Sequence, residues 1–201
     1  MRFERKRGFY ELYIKRLLDI ICSLLAIVLF FWVYAIIAIL VRKKLGSPVL
    51  FKQPRPGLID PKTGKERIFD MYKFRTMTDE RDADGNLLPD EKRLGRFGKL
   101  LRSTSLDELP EAFNILRGDM SVIGPRPQLV RDMVFMSDEQ RMRHTAKPGL
   151  TGLWQTSGRS NVSFRERLRI EKEYSENYSL KLDFKIIMNT IKDVIRGRGA
   201  L

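Results

Sequence analysis

Apolar side chains divide this chain into two unequal parts. Ile20 to Val41 forms an uninterrupted run of 22 residues, long enough as a helix to cross the apolar core of a bilayer. It is preceded by Arg2, Arg5, Lys6, Arg7, Lys15 and Arg16 and followed at once by Arg42-Lys43-Lys44. No small-residue cleavage site follows the run, so it reads as a permanent membrane segment rather than a signal peptide. Basic residues on both sides give no preferred direction of crossing. If both ends lie on the cytoplasmic side, the helix must break and re-enter. The run contains neither proline nor glycine, leaving Cys22-Ser23 and the bulky Phe31-Trp32 as places for that break.

After Gly46-Ser47-Pro48 the periodicity changes. Val49 to Gln53 predicts a strand, Pro54-Arg-Pro-Gly57 a turn and Lys62-Thr-Gly-Lys65 a hairpin tip. The returning strand, Ile68 to Met77, alternates so that Phe69, Met71, Lys73, Arg75 and Met77 share a face. Two cations among apolar neighbours either snorkel into water or point into an anion site. Glu80 to Glu91 has partial calcium-loop spacing, but Pro89 and the missing lead-in helix favour a solvated acidic loop with an Asp-Gly turn.

The remaining patterns are helical. Arg93 to Arg102 reads as a short basic helix interrupted by Gly95 and Gly98, with Arg96, Lys99 and Arg102 on one face. Leu106 to Leu116 predicts a helix capped by Ser105 through a Ser105-x-x-Glu108 box and ended near Gly118. Gln128 to Arg143 predicts a surface helix, and a turn-rich stretch from Lys147 to Asn161 carries Trp154, expected in the core. Phe164 to Tyr174 and Asp183 to Arg196 close the chain. The second is amphipathic, with Phe184, Ile187, Met188, Ile191, Val194 and Ile195 on one face. That face is expected to pack on the core, with the headgroup plane of a membrane as the alternative. The fold class is therefore α+β, mainly helical, with a membrane-inserted part over residues 1–46 and a soluble part over 47–201.

Charge narrows the function. A net charge of +13 and a pI near 10.0 imply an anionic partner: a nucleic acid, an acidic lipid surface or a phosphorylated small molecule. Cys22 is the single cysteine, which excludes an intrachain disulfide and a cysteine-based zinc site. His144 is the single histidine, expected to be solvated, so triad chemistry is a poor fit. Chemistry then falls to carboxylates and cations. Asp107-Glu108 stands out as an acidic pair in a basic chain, with a first-turn position that would keep Asp107 ionised. In Gly124-Pro125-Arg126-Pro127 the flanking prolines hold an arginine extended, suited either to gripping a phosphate or to pairing with a core carboxylate.

Four motifs in order carry a resemblance: Tyr72-Lys-Phe-Arg-Thr-Met77, Ser105-Leu-Asp-Glu-Leu-Pro110, Gly118-Asp-Met-Ser-Val-Ile-Gly-Pro-Arg-Pro127 and Pro148-Gly-Leu-Thr-Gly-Leu-Trp-Gln-Thr-Ser-Gly-Arg159. Together they resemble the monotopic phosphoglycosyl transferases, also called bacterial sugar transferases, from about Lys15 to the C-terminus. The resemblance implies transfer of a sugar 1-phosphate from a UDP-sugar to a polyprenol phosphate such as undecaprenyl phosphate, with Mg²⁺, at the cytoplasmic face of a bacterial inner membrane. It implies that Asp107 is the nucleophile, forming a sugar-phosphoryl aspartate with release of UMP, and that Glu108 assists in proton handling or metal binding. Asp107 and Glu108 are then the metal candidates, and Lys73, Arg75, Arg102, Arg126 and Arg159 the phosphate and nucleotide clamp. The family breaks its membrane helix with Ser-Pro, where this chain has Phe31-Trp32. The wording around Trp154 is similar to relatives that use a hexose such as galactose or glucose. A membrane-tethered nucleic-acid-binding or scaffold protein is the rival class; it draws on the charge alone, with no recognition motif.

Overall fold

The computed structural model describes residues 3, 5, 7–157 and 162–196. The apolar run is not one helix. A π-helical turn, Tyr10–Lys15, leads into α1 (Arg16–Leu29), and α2 (Phe31–Leu45) follows a 63° bend. No single helix is long and apolar enough to cross a membrane, although the bent pair together has the length and composition. The break falls at Phe30, whose backbone leaves the helical region at φ −107°, ψ 13°. The adjacent Trp32 indole N–H donates to the Leu29 carbonyl at 3.1 Å. A side chain thus supplies a donor at the break without proline or glycine.

Beyond a cis Ser47–Pro48 bond, β1 (Leu50–Ile59) pairs antiparallel with β2 (Glu66–Phe74), in register from Leu50↔Phe74 to Pro56↔Ile68 and bulged before Ile59. Pro54-Arg-Pro-Gly57 is therefore strand, not turn. Prolines are tolerated because β1 is an edge strand with a single neighbour. The returning strand stops at Phe74, short of the expected Met77. Between α3 (Asp90–Arg93) and α4 (Arg96–Ser103), Gly95 makes the break. Gly98 lies where α4 meets the chain after β2: a Cβ there would sit 1.9 Å from the Thr76 carbonyl oxygen.

The expected helix from Leu106 is also divided. Leu106–Glu108 is a single 3₁₀ turn and α5 (Glu111–Arg117) begins after Pro110. Ser105 does not cap it; the residue is left-handed, with φ 54° and no capping hydrogen bond. Arg16 instead reaches from α1 to the C-terminal end of α5, donating to the Ile115 and Leu116 carbonyls at 2.7 Å each, where a cation is favoured. Asp19 of α1 accepts from Ser121 Oγ and Val122 N–H, fastening α1 to β3 (Ser121–Ile123).

The predicted helix over Gln128 to Arg143 resolves into a 3₁₀ segment, Val130–Phe135, then α6 (Asp138–Arg141), capped by Ser137, and a second 3₁₀ turn, Met142–Thr145. β3 pairs in parallel with β4 (Gly149–Thr151). The two approach so closely that a Cβ on Gly124 would lie 2.2 Å from the Lys147 carbonyl oxygen. Glycine is thus required where the chain enters the Pro125-Arg126-Pro127 segment.

α7 (Phe164–Asn177) and α8 (Leu180–Ile195) complete the chain. Asp183 ties α8 to the first helices, accepting from Lys15 Nζ, Tyr10 Oη and Tyr174 Oη. Of α8's apolar side chains, Ile186 is buried, but Phe184, Met188, Ile191, Val194 and Ile195 are exposed. Ile187 packs against a core cluster, but the expectation that the face as a whole packs on the core is overturned. α1 and α2 expose a similar surface, including Leu25, Val28, Phe31, Trp32 and Ile39. Such an extent of exposed apolar surface is unusual for a protein surrounded by water.

Candidate active site

α2 packs behind the site. Ile37 and Val41 pack with Phe74 and Leu101, and Leu106 and Leu109 lie against the same cluster. Tyr34 Oη donates to the Leu109 carbonyl at 2.6 Å, joining α2 directly to the turn that carries the acidic pair. From the other side, Asn114 is fully buried and staples α5 to β2: its amide donates to the Asp70 carbonyl at 2.7 Å and accepts from Tyr72 N–H at 3.0 Å. These contacts bring the end of β2 against the acidic turn. The meeting place borders a cleft of ≈ 1130 Å³ lined by Lys73, Arg102, Asp107, Glu108 and Arg126 among others.

Within it the two acids have different surroundings. Glu108 Oε1 lies 2.5 Å from Lys73 Nζ and 3.3 Å from Arg126 Nη2. Burial opposes its ionisation, but Lys73 and Arg126 outweigh burial and hold its carboxyl below the usual range. Asp107, 7% exposed, makes no ion pair within 4 Å among the described residues. Burial outweighs the rest and raises its carboxyl above the usual range; Lys73, its own backbone N–H and Arg102 oppose that rise, and Glu108 adds to it. The first-turn position does not by itself keep Asp107 ionised as expected: the backbone N–H helps, but burial outweighs it, and three residues of 3₁₀ helix supply no useful macrodipole.

A third carboxylate, Glu111, escaped sequence reasoning because an acid within a predicted helix is ordinary. It is 3% exposed and 3.2 Å from Lys73 Nζ. Burial and then the neighbouring Glu108 raise its carboxyl to about 7. Lys73 thus lies between two acids, and the snorkelling alternative for this residue is excluded by its geometry.

The other predicted cations separate into groups. Arg102 donates Nε to Thr76 Oγ1 at 3.1 Å and lines the cleft, whereas Arg96 and Lys99 are exposed to solvent. Arg75 lines the cleft with its guanidinium engaged by the Met77 and Ser47 carbonyls and, at 2.7 Å, by Asp79. Its contacts in this structure hold the chain around the cis-proline. Arg159 lies outside the described residues. Arg55, another arginine between prolines, also lines the cleft and donates to the Pro127 carbonyl at 3.1 Å. The repeated Pro-Arg-Pro wording was the signal that could have found it; the turn assignment hid it.

Arg126 is held by a buried polar network. Its N–H donates to Glu171 Oε1 at 3.0 Å, and its carbonyl accepts from Arg143 Nη2. Arg143, 1% exposed, also donates Nε to Glu171 Oε2 at 2.8 Å and lies 2.9 Å from His144 Nε2 through Nη1. An arginine only donates, so His144 Nε2 accepts and its Nδ1–H donates to Glu66 Oε1 at 2.9 Å. His144 is 3% exposed, not solvated as expected. Its burial lowers the imidazole to about 4, against the opposing pull of Glu66.

Among the described residues no group of three His, Cys, Asp or Glu side chains is placed to hold a metal ion. One uncommitted carboxylate, Asp107, still fits Mg²⁺, which commonly takes one or two protein carboxylates and completes its oxygen shell with water and substrate phosphate. Glu108 is already committed to Lys73 and Arg126.

An acidic pair ringed by cations, beside a helix pair with a broad apolar surface, defines a site for an anionic substrate on an amphipathic scaffold. Residues 10–197 match the family described as bacterial sugar transferase. The chain is 44% identical to the uncharacterized sugar transferase EpsL of Bacillus subtilis, covering 92% of this chain and 89% of that protein. It is 34% identical to the undecaprenyl-phosphate galactose phosphotransferase of Salmonella typhimurium, covering 94% of this chain and 42% of the relative. It is 36% identical to the UDP-N-acetylgalactosamine-undecaprenyl-phosphate N-acetylgalactosaminephosphotransferase of Aeromonas hydrophila, covering 94% and 45%. The chain therefore spans less than half the length of these last two. It belongs to the bacterial sugar transferase family.

Proposed function

We propose that the protein transfers a sugar 1-phosphate from a UDP-sugar to a polyprenol phosphate, undecaprenyl phosphate being the candidate acceptor, and so begins the assembly of a lipid-linked glycan. The observation that carries this reading is the asymmetry of the acidic pair. Glu108 is neutralised by Lys73 and Arg126, while Asp107 is buried in the same cleft without a paired cation among the described residues. A carboxylate that must attack phosphorus needs an uncommitted oxygen and compensating charge around the phosphoryl group. An Asp107 oxygen bonds to the β-phosphorus as the bond from that phosphorus to the bridging oxygen breaks, and UMP leaves with that oxygen. A polyprenol phosphate oxygen then bonds to the same phosphorus and the aspartyl bond breaks, restoring the carboxylate. Lys73, Arg102 and Arg126 hold the phosphoryl oxygens, and Glu108 fixes the orientation of Lys73 and Arg126. Asp107 would be the residue to hold Mg²⁺, which when bound would supply charge neutralisation at the phosphoryl oxygens.

A polyprenol acceptor requires access from a membrane, and the exposed faces of α1, α2 and α8 supply a suitable surface. Basic clusters at both ends of the bent pair favour one common side, with the helix re-entering the cytoplasmic leaflet and the cleft facing the cytoplasm. Cysteines introduced at Arg7 and Lys43 in a Cys22→Ser background should both label from the cytoplasmic side of inverted vesicles. Labelling of one alone would refute re-entry.

The reaction is tested by measuring UMP release from a panel of UDP-sugars in nanodiscs, with and without undecaprenyl phosphate and Mg²⁺. Asp107→Asn should abolish release and trapping of labelled sugar phosphate on the protein. Release near the wild-type rate would refute the nucleophile.

A further inference from the structure

The cleft is not polar throughout. Leu50, Phe51 and Leu87 line it as well, and they are 38%, 47% and 46% exposed, open to a ligand as the structure stands. Strand pairing places two of them. Residues directly opposite in an antiparallel pair share a face of the sheet. Phe51 stands opposite Lys73, so its ring is on the face that carries the Lys73 ammonium to Glu108. Leu50 stands opposite Phe74 on the other face, where Phe74 packs with Ile37 and Val41 of α2. Consecutive strand residues point to opposite faces. The first two residues of β1 therefore join the side that meets the bent helix pair to the side that carries the phosphate-binding cation. Arg75 fixes this segment just beyond the end of α2: its N–H donates to the Val49 carbonyl at 3.0 Å and its Nη1 to the Ser47 carbonyl at 2.8 Å.

Open apolar side chains in a cleft that also presents Lys73, Arg102 and Arg126 fit a ligand with an anionic head and a hydrocarbon tail. A nucleotide sugar has the head without the tail. A polyprenol phosphate has both, and its chain has to pass from the bound phosphate back to the bilayer. Ile36, Ile39 and Leu40 of α2 are exposed to receive it. A phenyl ring by itself would suit a base equally well; a leucine on the face that meets α2 would not, and it decides for the lipid. We propose that Leu50 and Phe51 form the subsite for the first isoprene units of the polyprenol phosphate acceptor, leading its chain from Lys73 toward α2, a reading that rests on the function proposed above. Affinity there comes from apolar area removed from water and needs no hydrogen bond.

The test uses the full chain in phosphatidylcholine nanodiscs, so that added undecaprenyl phosphate is the one anionic lipid present, with the variants Leu50→Asn and Phe51→Asn. The kcat/KM for undecaprenyl phosphate and the kcat/KM for the UDP-sugar that supports the fastest UMP release are measured on each protein. In both variants the acceptor value should fall by about three- to tenfold relative to the donor value. That ratio is independent of the fraction of each variant that folds. Wild-type ratios in both variants would overturn the proposal. So would a fall in the donor value accompanied by weaker UDP binding in calorimetry, which would put the base, not the lipid, on Phe51. A polyprenol phosphate carrying a diazirine in its first isoprene unit gives a readout without turnover. It should label residues 48–51 of the wild-type chain, and labelling confined to other segments would overturn the proposal. Absence of UMP release by the wild-type protein would instead refute the reaction, and the labelling pattern would still judge the subsite.

Discussion

Lowering the pH from 7 to 4.5 should place a proton on His144 in the unfolded chain while leaving the folded imidazole neutral for most of that range. In the fold, burial depresses the group from its ordinary 6.5 to about 4. The groups facing it are Glu66, which accepts from Nδ1, Arg143, which donates to Nε2, and Arg141, which shares Glu66. A depressed histidine supports the fold above its unfolded pKa, and that support is lost as the pH falls toward the folded value. Across this interval the loss is about 2 to 3 kcal/mol. Glu111 acts in the opposite direction, since its folded carboxyl is raised to about 7 and accepts a proton sooner than the unfolded one. The wild-type curve by itself therefore hides both effects, and a matched variant is needed. His144→Gln retains a donor and an acceptor but cannot titrate. Thermal unfolding in nanodiscs, followed by tryptophan fluorescence between pH 7 and 4.5, should show wild type losing stability relative to His144→Gln by roughly 5 to 10 °C in Tm. Parallel curves would refute a buried neutral histidine and, with it, this account of how Arg126 is held.

The converse experiment uses Glu111→Gln: between pH 4.5 and 7 wild type should lose stability that the variant keeps, and equal slopes would show that Glu111 is not buried as a shifted acid. Tyr34→Phe removes the bond to the Leu109 carbonyl and should cost about 1 kcal/mol while slowing UMP release; unchanged melting and turnover would disconnect α2 from the acidic turn. Gly98→Ala should destabilise by about 1 to 3 kcal/mol and lower turnover, because the methyl collides with the Thr76 carbonyl beside the Thr76–Arg102 bond. Gly95→Ala, with nothing within 4 Å of its Cβ, is the control and should melt near wild type.

Local pattern alone located much of what matters. The apolar run, the hairpin, the last two helices and the acidic pair were readable because each depends on spacing along a few turns or on charge contrast with neighbours. Proline led the pattern astray at Pro54 to Gly57, since a proline's tolerance in a strand depends on whether a second strand pairs with it. Ser105 matched a capping sequence, yet the chain turns left-handed there to carry Asp107 and Glu108 against β2. The helix break at Phe30 had no breaking residue of the usual kind; it accompanies a contact made by the Trp32 indole.

Charge pairing was the least legible property. Lys73 and Arg75 looked equivalent in the strand pattern, but Lys73 is held by Glu108 and Glu111, while Arg75 is engaged by carbonyls and Asp79. His144 was a lone polar residue in sequence and is a buried, neutral member of a network that braces Arg126. The sequence by itself determined which charges exist, where the apolar surface runs and which motifs recur in the family. Only the tertiary structure decided which carboxylate is paired with cations and which is not among the described residues, because that depends on contacts between residues distant in sequence and on how much water they exclude.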